Sequence, residues 1–327
     1  MNQEKITELE DIMCSNYNNT AGIVVVKDGK TVYENYYNDC TAANRVHVYS
    51  VTKSIISILI GIALDKGYVQ TIDQKVLDFF PDYRVKRKVK TIQNVTLKNL
   101  LTMTAPYTYR FFAPYKKYFT SNDYVNFTLD LLGGKGLGKF RYTPLIGPDI
   151  LSGILVKATG QSVLDFATEN LFSPLGIPVD SNVYFHDKNE QIAFNKAKHI
   201  SGWVVDQTGV HTAGWGLTLS PADMAKIGQL YLAGGIWNEK KIVSESWITE
   251  SKREHSRCKK LNLAYGYLWW IIDKEEETYA AMGDGGNVIY VNTKKNMVIS
   301  IASFFIPRAK DRIGLIKSYI EPIFDGC

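Results

Sequence analysis

The chain has 327 residues, 45% of them hydrophobic and 22% charged. That balance excludes wholesale disorder and leaves room for one large domain or two smaller ones. A formal net charge of +5 over that length is weak ground for a nucleic-acid or membrane partner. The longest apolar stretch, residues 55–64, runs to about ten residues, too short to cross a bilayer. Residues 1–13 are polar and charged and lack the apolar centre of a secretory leader. The expectation is a soluble, cytoplasmic protein that needs no metal or cofactor. Cys14, Cys40, Cys258 and Cys327 form no CxxC pair and are expected to be reduced thiols.

Residues 21–36 place a β-branched run, then Asp28-Gly29, then an alternating run, which predicts a β-hairpin. Residues 50–67 read as an apolar helix stopped at Lys66-Gly67, buried on most sides. The basic run at residues 86–90 reads as a solvated face. From about 73 to 210, helical stretches at 97–104, 149–159 and 163–171 alternate with Gly- and Pro-bearing loops. Ser220-Pro221-Ala222-Asp223 opens another helix with a capping serine, a first-position proline and an acid in the first turn. It runs to about Leu232, and Gly234-Gly235 closes it. Residues 265–272 read as one strand and residues 287–304 as a hairpin. Residues 310–324 read as a last helix. Strands at both ends and helices between them predict an α/β plus all-α architecture. The sheet domain takes residues 1–75 and 211–327, the helical domain takes 76–210, and the active site lies between them.

Ser50-Val51-Thr52-Lys53 is an SxxK pattern. At a helix start, residues three apart share a face, so the hydroxyl and the amine can meet. The positive helix N-terminus favours both a nearby oxyanion and a deprotonated lysine. A neutral lysine can take the serine proton during attack on a carbonyl. The pattern alone also fits a helix-capping serine beside a surface lysine. Ser256-Arg257-Cys258-Lys259 matches as well, but among charged neighbours. The first match opens an apolar helix, where an idle buried lysine is costly. Gly133 to Lys139 spells GxxxxGK, but Phe140 stands where the magnesium-binding hydroxyl belongs, so nucleotide binding is not expected.

Taken together, Tyr49 to Ser54, the hairpin at 26–30, residues 67–81 and Leu100 to Thr104 resemble the serine β-lactamase and penicillin-binding-protein superfamily. The likeness is to its class C-like branch, near 6-aminohexanoate-dimer hydrolases and family VIII-type esterases. It implies a β-lactamase/transpeptidase-like fold, with Ser50 as nucleophile and Lys53 as activating base. Tyr142 stands for the family's tyrosine, as a phenolate or as a phenol linked to Lys53. Pro144 replaces the usual Asn of Tyr-x-Asn. Ala281-Met282-Gly283 stands where Lys-Thr-Gly or His-x-Gly lies on an edge strand, without the cation. The likeness implies an oxyanion hole from the N–H groups of Ser50 and Asp284. It offers Gly283 and Asn287 as substrate contacts and Tyr107, Tyr109, Phe111 and Phe112 as cleft walls. Trp215 fits a cleft wall or the core equally. The partner expected is a small-molecule ester, amide or peptide-like substrate. The alternative is a catalytically weak penicillin-binding or sensor-like protein on the same fold.

Overall fold

The computed structural model describes residues 3–86, 89–109 and 113–326. Strands β1 (Thr20–Lys27) and β2 (Lys30–Tyr36) form the predicted hairpin, with Asp28 and Gly29 both at positive φ. Tight hairpin turns that match the strand twist need that conformation. The C-terminal part adds β3 (Ser256–Cys258), β4 (Leu263–Tyr265), β5 (Trp270–Asp273), β6 (Thr278–Gly283), β7 (Asn287–Asn292) and β8 (Met297–Ser303). They join in one antiparallel sheet in the order β2-β1-β8-β7-β6-β5-β4-β3.

Both faces of this sheet are covered. On β1, Ile23 and Val25 face a cluster with helix α1 (Gln3–Asn16) and the C-terminal helix, while Val24 and Val26 face the main core. A strand buried on both sides reads as a continuous apolar run. Helix α2 (Val51–Asp65) is buried from Val51 to Ala63 and lies in that main core. It touches both the sheet and helix α3 (Asp149–Thr159) of the middle segment. Helix α4 (Pro221–Leu232) packs on β7 and β8 and starts with a reciprocal Ser220–Asp223 capping box. Among the described residues, no helix is long and apolar enough to cross a membrane.

Four expectations change. Residues 265–272 are not one strand. Gly266 lies against the Ser251 carbonyl, and Leu268, at φ 60°, donates its N–H to the Leu101 carbonyl and accepts the Ser54 hydroxyl on its own carbonyl. The chain therefore reverses between β4 and β5. Second, β6 is an interior strand, because β5, β4 and β3 continue the sheet beyond it. Third, α1 forms in the N-terminal stretch that reads only as polar and charged. Its Ile6, Leu9 and Met13 recur at helical spacing and are buried. Fourth, a short parallel pair, Ser181–Val183 with Gly202–Val204, lies within the helical stretch. The second SxxK lies on a strand, with Ser256 Oγ donating to the Thr102 carbonyl at 2.7 Å. No helix follows Gly133–Lys139 before residue 149. Lys86 pairs with Asp130 at the surface, whereas Arg87 and Lys88 lie outside the described residues.

Candidate active site

Ser50 is placed by the chain on both sides of it. Val46–His47 pairs with Thr218–Leu219, and Tyr49 then turns into the left-handed region at φ 48°. The Tyr49 ring stacks on His47 at 3.8 Å between centroids. His47 is buried and neutral: its Nε2 accepts the Gly216 N–H, so Nδ1 donates to Asn195. Ser50 is the N-cap of α2, yet its hydroxyl does not cap the helix. It is turned to Lys53, one turn further on. Lys53 Nζ lies 2.6 Å from Ser50 Oγ.

Lys53 is 1% exposed. Its amine also reaches the Pro144 carbonyl at 2.6 Å and the Gly214 carbonyl at 2.9 Å. No carboxylate forms an ion pair with it among the described residues. Burial pushes its pKa down to about 7, against the opposing charges of Asp284 and Asp149. In its neutral form the amine can keep all three contacts. Its two N–H groups donate to two carbonyls, and its lone pair is left to accept the Ser50 O–H. An amine so held can take a hydroxyl proton near neutral pH.

Tyr142 completes the group. Its ring centroid lies 5.2 Å from Lys53 Nζ, and its phenol faces the Ser50 hydroxyl. Burial raises the phenol's pKa, with the Asp284 charge adding to the effect. Both effects favour the protonated phenol of the two forms the resemblance offers. Tyr265 and Trp270 pack around it.

The end of β6 supplies the remaining wall. A side chain at Gly283 would overlap the Val48 carbonyl and sit 3.2 Å from Ser50 N, so the bare backbone passes next to Ser50. Asp284 opens a short 3-10 turn, where a first N–H has no acceptor within the turn. The Asp284 and Pro144 side chains are exposed at the rim, with Phe305 49% exposed beside Tyr49. A cavity of about 360 Å³ adjoins Gly283, Asp284 and Phe305. Three larger ones, about 420, 470 and 740 Å³, lie away from Ser50, by Phe80–Lys157, by Thr249–Thr293 and along α1.

A family model described as Beta-lactamase matches residues 13–312. The chain belongs to the Beta-lactamase family. It is 22% identical over 299 residues to a 6-aminohexanoate-dimer hydrolase of Paenarthrobacter ureafaciens, covering 84% of this chain and 70% of that protein. A class C β-lactamase from Rhodobacter sphaeroides superposes with a TM-score of 0.69 at 14% identity, over 98% of this chain and 99% of that one. A family VIII carboxylesterase superposes with a TM-score of 0.68 at 15% identity, over 96% of both chains. These low identities speak for the shared fold, and the family is one of hydrolases.

Within this Beta-lactamase-family site, several side chains lie elsewhere than the resemblance implied. Asn287 is fully buried and faces inward. Its amide nitrogen donates to the Asp284 and Ser303 carbonyls at 2.8 and 3.1 Å, and its oxygen accepts the Ser303 N–H. It braces the turn after Gly283 and does not face the rim. Trp215 is in the core, 2% exposed, with Nε1 donating to Tyr118 Oη at 3.1 Å. Tyr107 is buried, and its hydroxyl abuts Gly147, so it supports the loop below Tyr142. Tyr109 is half-buried under the Arg141 guanidinium. Phe111 and Phe112 lie outside the described residues. Sequence reasoning missed the Pro144 and Gly214 carbonyls, since any residue supplies a carbonyl. It also passed over the Asp284 carboxylate, having used only that residue's N–H.

Proposed function

We propose that this chain is a serine hydrolase that cleaves a small ester or amide through an acyl-enzyme on Ser50. One observation carries this reading: the buried Lys53 amine, 2.6 Å from Ser50 Oγ, spends its other two contacts on carbonyls. Ser50 Oγ attacks the substrate carbonyl carbon while its proton passes to Lys53 Nζ. The carbonyl electron pair moves to oxygen, and the N–H groups of Ser50 and Asp284 stabilise that oxyanion. The intermediate collapses and expels the alkoxide or amine. Tyr142 gives the leaving group its proton and is re-protonated from the Lys53 ammonium. Water then repeats the sequence on the acyl-enzyme, and the acid leaves. Every step uses this chain's own groups and water.

The rim supports a substrate class. Where a cation would hold a substrate carboxylate, the strand carries Ala281, and the exposed Asp284 carboxylate follows Gly283. Neutral esters and amides fit this rim better than anionic β-lactams, because like charges repel across a partly desolvated site. The test is a fluorophosphonate probe followed by a p-nitrophenyl ester assay. Labelling at Ser50 with turnover that disappears in Ser50→Ala is expected. Labelling without turnover of any ester or amide would favour the sensor-like alternative, and no labelling would overturn the reading.

A further inference from the structure

Asp149 is 1% exposed, and no cation pairs with it among the described residues. It stands in the first turn of α3, where an acid ordinarily serves its own helix. Here it does not: the N-cap is Pro148, which makes no side-chain cap, and both Asp149 oxygens turn to other segments. Oδ1 accepts the Ala213 N–H at 2.9 Å. Oδ2 accepts the Tyr118 O–H at 2.8 Å, and Tyr118 Oη in turn accepts Trp215 Nε1–H at 3.1 Å. One carboxylate thus grips Ala213 directly and Trp215 through Tyr118. The residue between them is Gly214, whose carbonyl holds Lys53 Nζ at 2.9 Å.

The same acid meets the other half of the lysine's socket. Asp149 follows the loop 142–148 that carries Tyr142 and the Pro144 carbonyl. Gly214 presses on that loop: a side chain there would come 2.5 Å from the Leu145 carbonyl. The loop and the 213–215 segment therefore contact each other, and both are fastened at Asp149.

We infer that Asp149 is a positioning residue whose carboxylate fixes the Ala213–Gly214–Trp215 segment, so that the Gly214 carbonyl holds the Lys53 amine against Ser50. The inference rests on the hydrolase reading above for its kinetic consequence, but the geometry it claims is independent of turnover. Asparagine could satisfy Ala213 equally well but would turn an N–H toward the Tyr118 hydroxyl, so the acid differs from it at the Trp215 arm of the grip and, when ionised, in charge. The groups facing Asp149 are the phenols of Tyr107, Tyr118 and Tyr124, the Asp206 carboxylate and Lys53. Those facing Lys53 are Asp284, Asp149, the Tyr142 ring and Ser50. Among the described residues Lys53 is the cation that faces Asp149, and an ionised Asp149 makes its amine harder to deprotonate.

The test compares Asp149→Asn and Asp149→Ala in the full chain, with two readouts. Ester turnover against pH gives kcat and KM. Carbon-13 NMR of the Lys53 Cε, in a Ser50→Ala background, titrates the amine whether or not the chain turns anything over. Asp149→Asn keeps the oxygen for Ala213 and loses the charge, so the Lys53 midpoint should fall by about 0.5–1 pH unit. Asp149→Ala also frees the segment. It should lower kcat by roughly 10–100-fold with little change in KM, the scale of a small misplacement in a reacting pair. If Asp149→Ala does not fold, Tyr118→Phe, which cuts the Trp215 arm of the grip, stands in for it. Wild-type kcat in the folded variant overturns the inference. A wild-type chain with no turnover, but with a Lys53 midpoint moved further in Asp149→Ala than in Asp149→Asn, would defeat the hydrolase reading and leave this one standing.

Discussion

The Pro144 carbonyl lies 2.6 Å from Lys53 Nζ, as close as the Ser50 hydroxyl does. Where the resemblance places an Asn side chain, the chain presents main chain to the lysine. That separates two jobs. Holding the lysine needs only the carbonyl, which any residue provides, whereas contacting substrate from that position needs a side chain that Pro144 lacks. Pro144→Asn should therefore leave p-nitrophenyl ester turnover within about threefold of wild type, since the Pro144 ring is exposed and exposed substitutions are usually mild. A loss above about tenfold, measured as kcat, would show that the rigid ring itself sets the loop.

Ser50→Ala should abolish ester turnover with the circular dichroism spectrum unchanged, because Ser50 Oγ makes no cap that α2 depends on. Lys53→Ala should cost about 10²–10⁴ in kcat, the usual worth of a positioned base. Near-normal activity in Lys53→Ala would assign the base role to Tyr142 instead.

The pH profile tests the same amine. Lys53 acts as a base only when neutral, and burial has brought its pKa to about 7. Ester kcat/KM should therefore fall on the acid side with a midpoint near that value. Asp284 contributes the largest opposing charge. Asp284→Asn removes it, so the limb should move to lower pH, measured as kcat/KM between pH 5 and 9. A move to higher pH would mean that Asp284 does not act on Lys53.

How much of this was legible in the sequence follows from what each group contributes. Ser50 and Lys53 meet through side chains one helical turn apart, and that spacing is written in residue order. The hairpin around Asp28-Gly29 and the Ser220 capping box were legible for the same reason, since local chemistry fixes them. The break between β4 and β5 was not. It depends on Gly266 approaching the Ser251 backbone and on Ser54 reaching the Leu268 carbonyl, contacts between distant segments. The Gly214 carbonyl was invisible because a backbone acceptor leaves no mark in composition. Trp215, a plausible cleft aromatic by position, is drawn into the core by Tyr118 and Phe119. An aromatic's side of the cleft is decided by packing, which residue order does not carry.

Gly283 offers a steric test of the site's back wall. A methyl group there would run into the Val48 carbonyl and crowd Ser50 N. Gly283→Ala should push the strand end away from Ser50 and cost about 1–3 kcal/mol of stability, as overpacking usually does. If the N–H groups of Ser50 and Asp284 form the oxyanion site, kcat should also fall by about 10²–10³. Stability lost with kcat intact in the folded fraction would place the oxyanion site elsewhere.

Stability against pH gives the last test, and the signs for the two buried groups are opposite. Burial lowers the Lys53 pKa from 10.5 to about 7, so between those values the unfolded chain binds a proton that the folded chain does not. Stability then rises with pH across that window. Burial raises the Asp149 pKa from 3.8 to about 7, so between those values the folded chain holds the extra proton. Stability then falls as pH rises through that lower window. Together the two groups place a shallow minimum near pH 7, each contributing on the order of a few kcal/mol. Lys53→Met should flatten the rise between pH 7 and about 10, and Asp149→Asn the fall between about 4 and 7. The urea midpoint of each variant, subtracted from wild type at matched pH, isolates its group from every other titration in the chain. A Lys53→Met difference that does not change with pH would mean that the amine is charged in the folded protein, and the neutral base would go with it.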